Sequence, residues 1–525
     1  MGLTLSKTDF ISYRECAKNI WVKWHKPEIY NDFELSDFEK SLAEMGNDVE
    51  LLARGMFPNG YLVEKRGAGA QKLTQKLMAE KMPVIFQAVF ETDKYLAATD
   101  VLKWNSEAES YDLYEIKMSS TEDEDAPTLE EAGVPTVNVG RKIKKKHKKE
   151  IQYEYDLAFQ ANVVTDCGVK LNKKYLIRLN KNYTREGELD FTPGALFIIE
   201  DKTEAIDEFR PTVEIEMEEA YKYLSSDREQ VGPCSCFYKG RTSHCTTFAY
   251  NNREKNVPAY SVHDLNRIGN SKKYLTELLD AGILDMKDVP VDERLQNKKL
   301  NQVLVHKSQK PMVNGESLKA ELDSLSFPLY FLDYETCPTA IPRYNGYKPY
   351  QHIVFQYSLH VLQKLDSLPE HYECLIFDGD PAERIAESLH ERIGNKGSII
   401  SWYAAFENTR NKELGNMLPK YKKFFDDIIH RTYDLMKIVE DQHYVHPDFL
   451  GRSSIKKVLP ALIKDLSYKD LGVKSGTEAI DAYEKIVSGK LKSKDIEKKK
   501  KEMLEYCKLD TLAMYRLWKF FVDLV

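Results

Sequence analysis

The segment FLDYET at residues 331–336 carries the first acids whose spacing indicates chemistry. Its apolar surroundings predict a buried strand, and side chains two apart on a strand point to the same face, so Asp333 and Glu335 share one face. Two buried carboxylates repel each other unless cations lie beside them. The pair predicts a divalent-metal site; the alternative is one acid at the strand mouth and one in solvent.

Glu407, Tyr506 and Asp510, which lie much later in the chain, can belong to the same site as this pair of acids. Glu407 follows an apolar strand end in SWYAAFENTR and enters a helix. Tyr506 and Asp510 lie four residues apart in the helical stretch EMLEYCKLDTLAMYRLWKFF, so they share a helix face. Asp434 in RTYDL is a further acid, which we expect to support the site rather than to bind metal.

A second candidate site is predicted upstream. Asp100 ends the apolar run YLAATD, and Glu115 and Lys117 follow in YDLYEIK. If the two strands pair as a hairpin, Asp100 approaches Glu115, which shares a face with Lys117. Mg²⁺ or Mn²⁺ is the natural cation between such carboxylates. Lys117 can then orient or help deprotonate a water, or stabilise charge on a phosphate.

Three of the eight cysteines, Cys234, Cys236 and Cys245, lie within twelve residues. In a chain without a signal-peptide core, this group predicts ligands of a metal or an iron–sulfur cluster. The alternatives are Zn²⁺, which thiolates commonly bind, and buried cysteines without a ligand. Four others are expected to be small core residues: Cys167, Cys337, Cys374 and Cys507.

Composition limits the function classes. The chain has 525 residues, 42% of them hydrophobic, and a net charge of −7. It can build several cores, but nucleic-acid binding must use local basic patches. No apolar run approaches the length of a transmembrane helix. We therefore expect a cytoplasmic protein without a membrane partner.

Periodicity predicts the elements that position these residues. Helical spacing covers residues 1–60 and 151–164, and strand-like segments occupy 84–117. The acidic segment 121–131 and the basic segment 141–150 predict a solvated insertion or, alternatively, an arm that touches phosphate. Residues 260–325 fit short helices around a glycine turn, as in modules that grip nucleic acid, or a plain connector. From residue 327, α and β segments alternate.

The upstream site resembles a known nuclease family. The spacing D-x14-E-x-K, followed by Gln160 in YDLAFQANVV, resembles the PD-(D/E)XK nucleases of the RecB-like group. The resemblance implies that Asp100 and Glu115 bind metal and that Lys117 and Gln160 take part in catalysis. One early and three late cysteines resemble the iron–sulfur members of that group, which include the CRISPR-associated RecB-like exonucleases. The implied ligands of a 4Fe–4S cluster are Cys16, Cys234, Cys236 and Cys245.

The downstream site resembles the DEDD exonucleases of the RNase H-like fold, in their tyrosine variant. An acid pair on a first strand, an acid after a later strand and Tyr-x3-Asp on a late helix carry this resemblance. It implies that Asp333 bridges two Mg²⁺ or Mn²⁺ ions and that Glu335 and Asp510 complete one of them. Glu407, where the family usually has Asp, would hold the other through water. Tyr506 would orient the attacking water, and nucleotides would leave from a 3′ end.

The joined pattern is similar to an uncharacterised bacterial family that fuses these two domains. We expect an α/β protein with a PD-(D/E)XK nuclease-like domain at 1–255, a helical connector at 256–325 and an RNase H-like exonuclease domain at 326–525. The expected function is that of a metal-dependent nuclease, with DNA favoured over RNA. The alternative is a nucleic-acid-binding protein with a degenerate N-terminal platform, because position 164 is Val where the group has Tyr. A third alternative is a scaffold whose cluster senses redox state.

Polar residues near the second site are candidate nucleic-acid contacts. Arg452, Ser453 and Lys456 at a helix start predict a phosphate cradle. Four residues of PYQHIVFQYSLH either contact a terminal base or phosphate or satisfy hydrogen bonds of the core: Gln351, His352, Gln356 and His360.

Overall fold

The structure is a computed structural model that describes residues 4–30, 37–64, 67–121 and 145–525. Over these ranges the chain is an α/β protein with two mixed sheets, which confirms the predicted fold class. Residues 122–131 of the acidic segment and 141–144 of the basic segment lie outside the described residues, so the phosphate-binding arm stays a prediction.

Helices of the first part of the chain cover both faces of the first sheet. They are α1 (Lys7–Glu15), α2 (Ala17–His25), α3 (Pro27–Tyr30), α4 (Asp37–Ala53), α5 (Ala68–Ala79), α6 (Lys145–Asp166) and α7 (Thr203–Leu224). The Ser6 hydroxyl caps α1 by accepting from the Asp9 N–H at 3.1 Å. On one face Phe10 and Phe159 share a core with Leu113, and on the other Val49 of α4 packs with Ile116 and its neighbours.

The first sheet contains the hairpin on which the approach of Asp100 to Glu115 depends. Its strands are β1 (Leu5–Ser6), β2 (Tyr61–Leu62), β3 (Val84–Glu91), β4 (Tyr95–Asn105), β5 (Ser110–Ser120), β6 (Leu171–Leu179) and β7 (Phe197–Asp201). Their order is β2-β3-β4-β5-β6-β7, and β1 pairs in parallel with the start of β4. β3, β4 and β5 are antiparallel neighbours, whereas β5 and β6 are parallel, as a crossover through α6 requires.

The connector packs against the cysteine group. Its elements and those just before it are α8 (Phe248–Asn251), α9 (Lys272–Asp280), α10 (Asn297–Ser308), β8 (Met312–Val313) and α11 (Gly315–Asp323). Leu265, Ile268 and Leu275 share a hydrophobic core with Cys16 and Cys234. Of the two short helices expected around the glycine turn, α9 forms and the second is a 3₁₀ turn at Met286–Asp288.

The second sheet lies in the last part of the chain. Its strands are β9 (Leu329–Pro338), β10 (His352–Leu362), β11 (Glu370–Leu375), β12 (Ser398–Ser401) and β13 (Thr432–Asp434), in the order β11-β10-β9-β12-β13. β10 is antiparallel to both of its neighbours, and β12 is parallel to both of its own. A short strand, β14 (Tyr444–Val445), pairs with β8 of the connector.

Seven helices surround this sheet, among the residues that the structure describes. They are α12 (Ala382–Arg392), α13 (Ala404–Met417), α14 (Lys422–Arg431), α15 (Lys437–Glu440), α16 (Ile455–Leu462), α17 (Gly476–Val487) and α18 (Ser493–Leu524). α18, with 32 residues, packs across β9 and β10. No helix in the described ranges is both long enough and apolar enough to cross a membrane.

The loop between β9 and β10, in the second half of the chain, contacts residues around the first sheet. Ala340 belongs to the hydrophobic core that includes α4 and β5. The Tyr350 hydroxyl donates to the backbone carbonyl of Met118. The Arg185 guanidinium donates to the carbonyl of Arg343 at 2.7 Å. The two halves therefore share buried contacts. The sheets lie within residues 5–201 and 329–434, inside the predicted domain limits.

Candidate active sites

Five predicted residues of the second site meet in one cleft. Asp333 and Glu335 lie on β9, the central strand of the sheet, on the face that α18 covers. The cleft has a volume of about 200 Å³, and its walls include Asp333, Glu335, Glu407, Tyr506 and Asp510. The i, i+2 spacing on the strand and the i, i+4 spacing on the helix therefore bring the side chains together as predicted.

Charge repulsion in this cleft is strong. Burial raises the pKa of Asp333, and the nearby Asp510 raises it further. Burial also raises the pKa of Glu335 and of Glu407, to which the charge of Asp333 adds. Burial raises the pKa of Asp510 to about 6. The Oε2 atom of Glu407 is buried without a hydrogen-bond partner. This donor set fits divalent cations, which favour oxygen ligands.

Asp434 holds the helix that carries Glu407. Tyr403, the residue before α13, has a left-handed φ of 75°. Its N–H donates to Asp434 Oδ1 at 2.9 Å, and the Met436 N–H donates to the same oxygen at 3.1 Å. The bond from Tyr403 fixes the start of α13, the bond from Met436 holds Asp434 in its own turn, and Glu407 follows in the first turns of α13. The contacts agree with the supporting role that we expect for Asp434.

Tyr468 also contacts the acids, although the sequence did not indicate it. Its hydroxyl donates to Asp510 Oδ1 at 2.6 Å. The ammonium of Lys456 lies 5.3 Å from the ring centre of Tyr506 and 5.7 Å from that of Tyr468, within cation–π range. Lys456 is thus the predicted nucleic-acid contact that lines the cleft. Tyr468 is an isolated aromatic residue in LSYKDL, a segment with no periodic pattern.

Cys507 lies beneath the acid pair. It is fully buried, and its Sγ is 3.7 Å from Asp333 Oδ2. Its ligand atom and those of Asp333 and Glu335 all lie within 4.8 Å of one another. The sequence predicts a small core residue, and this position adds a contact with a candidate metal ligand.

The rest of the predicted phosphate cradle faces other partners. Arg452 approaches Asp264 of the connector at 3.8 Å, and the Ser453 hydroxyl bonds Glu440. Lys456 alone of the three lines the cleft. Four polar residues on or near β10 were predicted either to contact a terminal base or phosphate or to satisfy hydrogen bonds of the core. In the structure all four contact other residues of the fold: Gln351, His352, Gln356 and His360.

The first site forms on the β4–β5 hairpin. Glu115 is 1% exposed. Its Oε1 accepts from Lys117 Nζ at 2.7 Å and from Lys7 Nζ at 2.6 Å, and its Oε2 accepts from Gln160. Burial acts to raise the pKa of Glu115, but the two ammonium groups outweigh it, so that the pKa lies below its usual value.

Asp100 lies next to Glu115 and has fewer donors. Its Oδ2 accepts from the Ile116 N–H at 2.7 Å. Burial raises the pKa of Asp100 to about 8, and the charge of Glu115 contributes. Gln87, opposite Asp100 on β3, has a left-handed φ of 54° and donates to Glu50. Such strain is typical of functional positions. In the sequence, the one feature that points to Gln87 is that it is the single polar residue of VIFQAVF.

Two more residues of this site escaped the sequence patterns. The Lys117 ammonium pairs with Asp156, which lies one helical turn before Gln160 on α6. Lys7 lies near the start of the described chain, at the beginning of α1, and no sequence pattern marked it. The Oε1 atom of Gln160 is buried without a hydrogen-bond partner. That free acceptor and the raised pKa of Asp100 fit a cation at this site.

The four predicted cysteines meet, and this group can hold a metal. The Sγ atoms of Cys16, Cys234, Cys236 and Cys245 all lie within 4.8 Å of one another. The Asn252 amide donates to Cys234 Sγ at 3.3 Å, a contact that stabilises a thiolate. Cys16 joins this group from the start of α2, far away in sequence.

Comparison with known proteins adds one partial match. A family model described as a domain of unknown function (DUF2779) matches residues 330–454. That stretch contains Asp333, Glu335 and Glu407, whereas Tyr506 and Asp510 lie beyond it. No curated protein and no solved structure matches the chain.

The contacts of Asp434 predict the effect of removing its carboxylate. Asp434→Ala leaves two backbone N–H groups without their acceptor, and we expect it to lower the free energy of unfolding by about 1–2 kcal/mol. In the control, Asp426→Ala, the lost partner is the exposed Lys422 one helical turn away, so the expected loss is below about 0.5 kcal/mol. Urea unfolding measures both. Equal losses would contradict the role of Asp434 as a support of α13.

Proposed function

We propose that this protein is a metal-dependent nuclease whose main active site is the cleft of the second sheet. The observation that carries the proposal is the convergence of four carboxylates and Tyr506 on one cleft. Structural acids rarely gather in this way without partners, because each raises the pKa of the others. The strand order, third-second-first-fourth-fifth with the second strand antiparallel, is that of RNase H-like sheets and supports the same proposal.

The carboxylates would hold two Mg²⁺ or Mn²⁺ ions. Asp333 would contact both, Glu335 and Asp510 would complete one, and Glu407 would hold the other through water. Bound ions stabilise the charge that develops on the attacking and leaving oxygens of a phosphodiester. Lys456, the one cation of the cleft wall in the part of the chain that the structure describes, adds positive charge beside the acids.

Tyr506 would orient the attacking water by a hydrogen bond from or to its hydroxyl. The water oxygen bonds to phosphorus, the P–O3′ bond breaks, and the departing 3′ oxygen takes up a proton. The products are a nucleoside 5′-monophosphate and a strand shortened by one nucleotide, if cleavage starts from a 3′ end as the resemblance implies. DNA is the favoured substrate.

The first site is proposed as a second nuclease centre, with Asp100 and Glu115 as metal ligands and Lys117 and Gln160 beside them. One observation favours the alternative of a nucleic-acid-binding platform: both oxygens of Glu115 already accept hydrogen bonds from this chain's own side chains. The experiment that separates these functions is incubation of the purified protein with end-labelled DNA and RNA, in Mn²⁺ or in EDTA.

The cysteines would bind a 4Fe–4S cluster, as the resemblance implies, and zinc is the alternative. A tetrahedral Zn²⁺ with Zn–S bonds of about 2.3 Å places its sulfurs about 3.8 Å apart. The four Sγ atoms lie within 4.8 Å of one another, which is compatible with that separation. A cuboidal cluster is larger than one ion, so it requires the thiolates to move apart; Cys245 is the one of the four that is not fully buried.

Variants of the second site should lose activity in a fixed rank. Asp333→Asn keeps the shape but removes the charge that both ions need, so the 3′ exonuclease rate should fall by at least ~10³-fold. Tyr506→Phe should cost ~10- to 100-fold, since it loses only water orientation. Glu407→Asp should be mild, because a carboxylate remains.

The rank is measured with a 3′-labelled single strand in Mn²⁺. Asp465→Asn serves as the control, because its carboxylate is exposed and pairs with Arg516 away from the cleft. If Asp333→Asn digests the strand as fast as the parent protein, the cleft is not the exonuclease site.

Variants of the first site test whether it is catalytic. Glu115→Ala or Lys117→Ala should abolish endonuclease or 5′-end cleavage and leave 3′ trimming unchanged, because the two sites lie on separate sheets. The assay uses circular DNA and 5′-labelled strands. Retention of every activity in both variants would support the binding platform instead.

Replacement of Cys245 tests the cysteine group. Protein purified without oxygen should be brown, and Cys245→Ser should lose the colour and the bound metal and melt at a lower temperature, since a link between distant segments is lost. Cys167→Ser is the control, because Cys167 lies apart from the group. Colourless parent protein with stoichiometric zinc would overturn the iron–sulfur assignment.

A further inference from the structure

Lys7 contacts the first site although it lies far in sequence from the other residues of that site. Its ammonium lies 2.6 Å from Glu115 Oε1, across 108 residues of sequence. The backbone around it is fixed, because β1 pairs with β4 and the Leu5 N–H donates to the Lys94 carbonyl at 2.7 Å. The Ser6 cap then starts α1 at Lys7 itself. The sheet therefore fixes the backbone position from which this ammonium reaches Glu115.

Lys7 is placed where a metal ion would otherwise bind. A cation shared by Asp100 and Glu115 needs an oxygen from each, and the charges of Lys7 and Asp100 already interact. Glu115 Oε1 is taken by two ammonium groups, and its Oε2 by Gln160. The side chain of Lys7 is 23% exposed, so it lies at the mouth of the site and has solvent to move into.

The two candidate sites differ in how many cations of the chain itself lie beside their carboxylates. In the first, Lys7 and Lys117 contact Glu115, Lys117 also pairs with Asp156, and Arg54 pairs with Glu50 at 2.6 Å. In the second, none of the four acids forms an ion pair with a described side chain. Lys456 acts on Asp333, Glu335 and Asp510 only at longer range, and Arg410 acts on Glu407 in the same way. The second site therefore demands external cations, and the first carries its own.

We propose that Lys7 is an internal counter-ion of the first site, which a divalent cation must displace from Glu115 in order to bind. Lys7 thereby weakens metal binding and makes the first site the later of the two to load as the metal concentration rises. This inference rests on the proposed function, since it takes Asp100 and Glu115 as metal ligands. Lys7 is a positioning residue, because it acts on the metal through Glu115.

Mn²⁺ binding tests the inference without any nuclease assay. The full-length protein carries Asp333→Asn and Asp510→Asn to silence the second site, and electron paramagnetic resonance measures free Mn²⁺. Adding Lys7→Met should tighten Mn²⁺ binding at least ~10-fold, because two acids then face one fewer ammonium group. Lys7→Arg keeps the charge and should bind like the parent. Lys94→Met is the matched control, since it removes a surface ion pair with Glu218.

The outcomes separate this inference from the proposed site. Tighter binding in Lys7→Met that Glu115→Ala abolishes supports the inference. Unchanged or weaker binding in Lys7→Met, with loss in Glu115→Ala, overturns it and leaves the metal site standing. Binding that Glu115→Ala does not alter overturns both. Thermal melting shows whether Lys7→Met is folded, and Lys7→Gln, which removes the charge but keeps a donor, provides the same measurement if it is not.

Discussion

Mutual repulsion of the acids in the second cleft is the constraint on which this half of the structure depends. Unit charges a few ångströms apart cost several kcal/mol when they are poorly solvated. The acids stay together despite this repulsion because they belong to separate, well-packed elements: β9 in the centre of the sheet, the start of α13, and α18. Each element has its own hydrophobic contacts, which oppose a movement that would relieve the repulsion. These contacts keep the carboxylates close to one another.

The sequence predicts the residues of each site that a spacing or a family resemblance marks, and it misses those that no pattern marks. Spacing of two on β5 and of four on α18 pairs Glu115 with Lys117 and Tyr506 with Asp510, because each pattern depends on one element alone. Lys7 and Tyr468 carry no such pattern, since their role arises only when remote segments fold together. The phosphate cradle shows the reverse error: Ser453 follows a helix-start pattern, but its hydroxyl bonds Glu440, a partner that spacing cannot reveal.

The fold class and the strand-like segments at residues 84–117 followed from hydrophobic periodicity, whereas the role of the connector did not. Its leucines read as ordinary helix faces, and the structure packs them beside Cys16 and Cys234. A segment between two domains can thus be part of a domain core, and only the three-dimensional partner of each apolar face distinguishes the two cases. The same holds for Ala340, which lies in the second half of the chain but in a core of the first.

The distance in sequence between Cys16 and its three partners has a consequence for biosynthesis. Cys16 leaves the ribosome early, and Cys245 follows more than 200 residues later. At a synthesis rate of about 5–20 residues per second, this interval lasts roughly 10–50 s. During that time the first helices exist without their cysteine partners and without the core that the connector completes. The nascent chain therefore has a long interval in which chaperones or oxidants can reach the Cys16 thiol, and a metal held by all four cysteines could enter only after Cys245 has emerged.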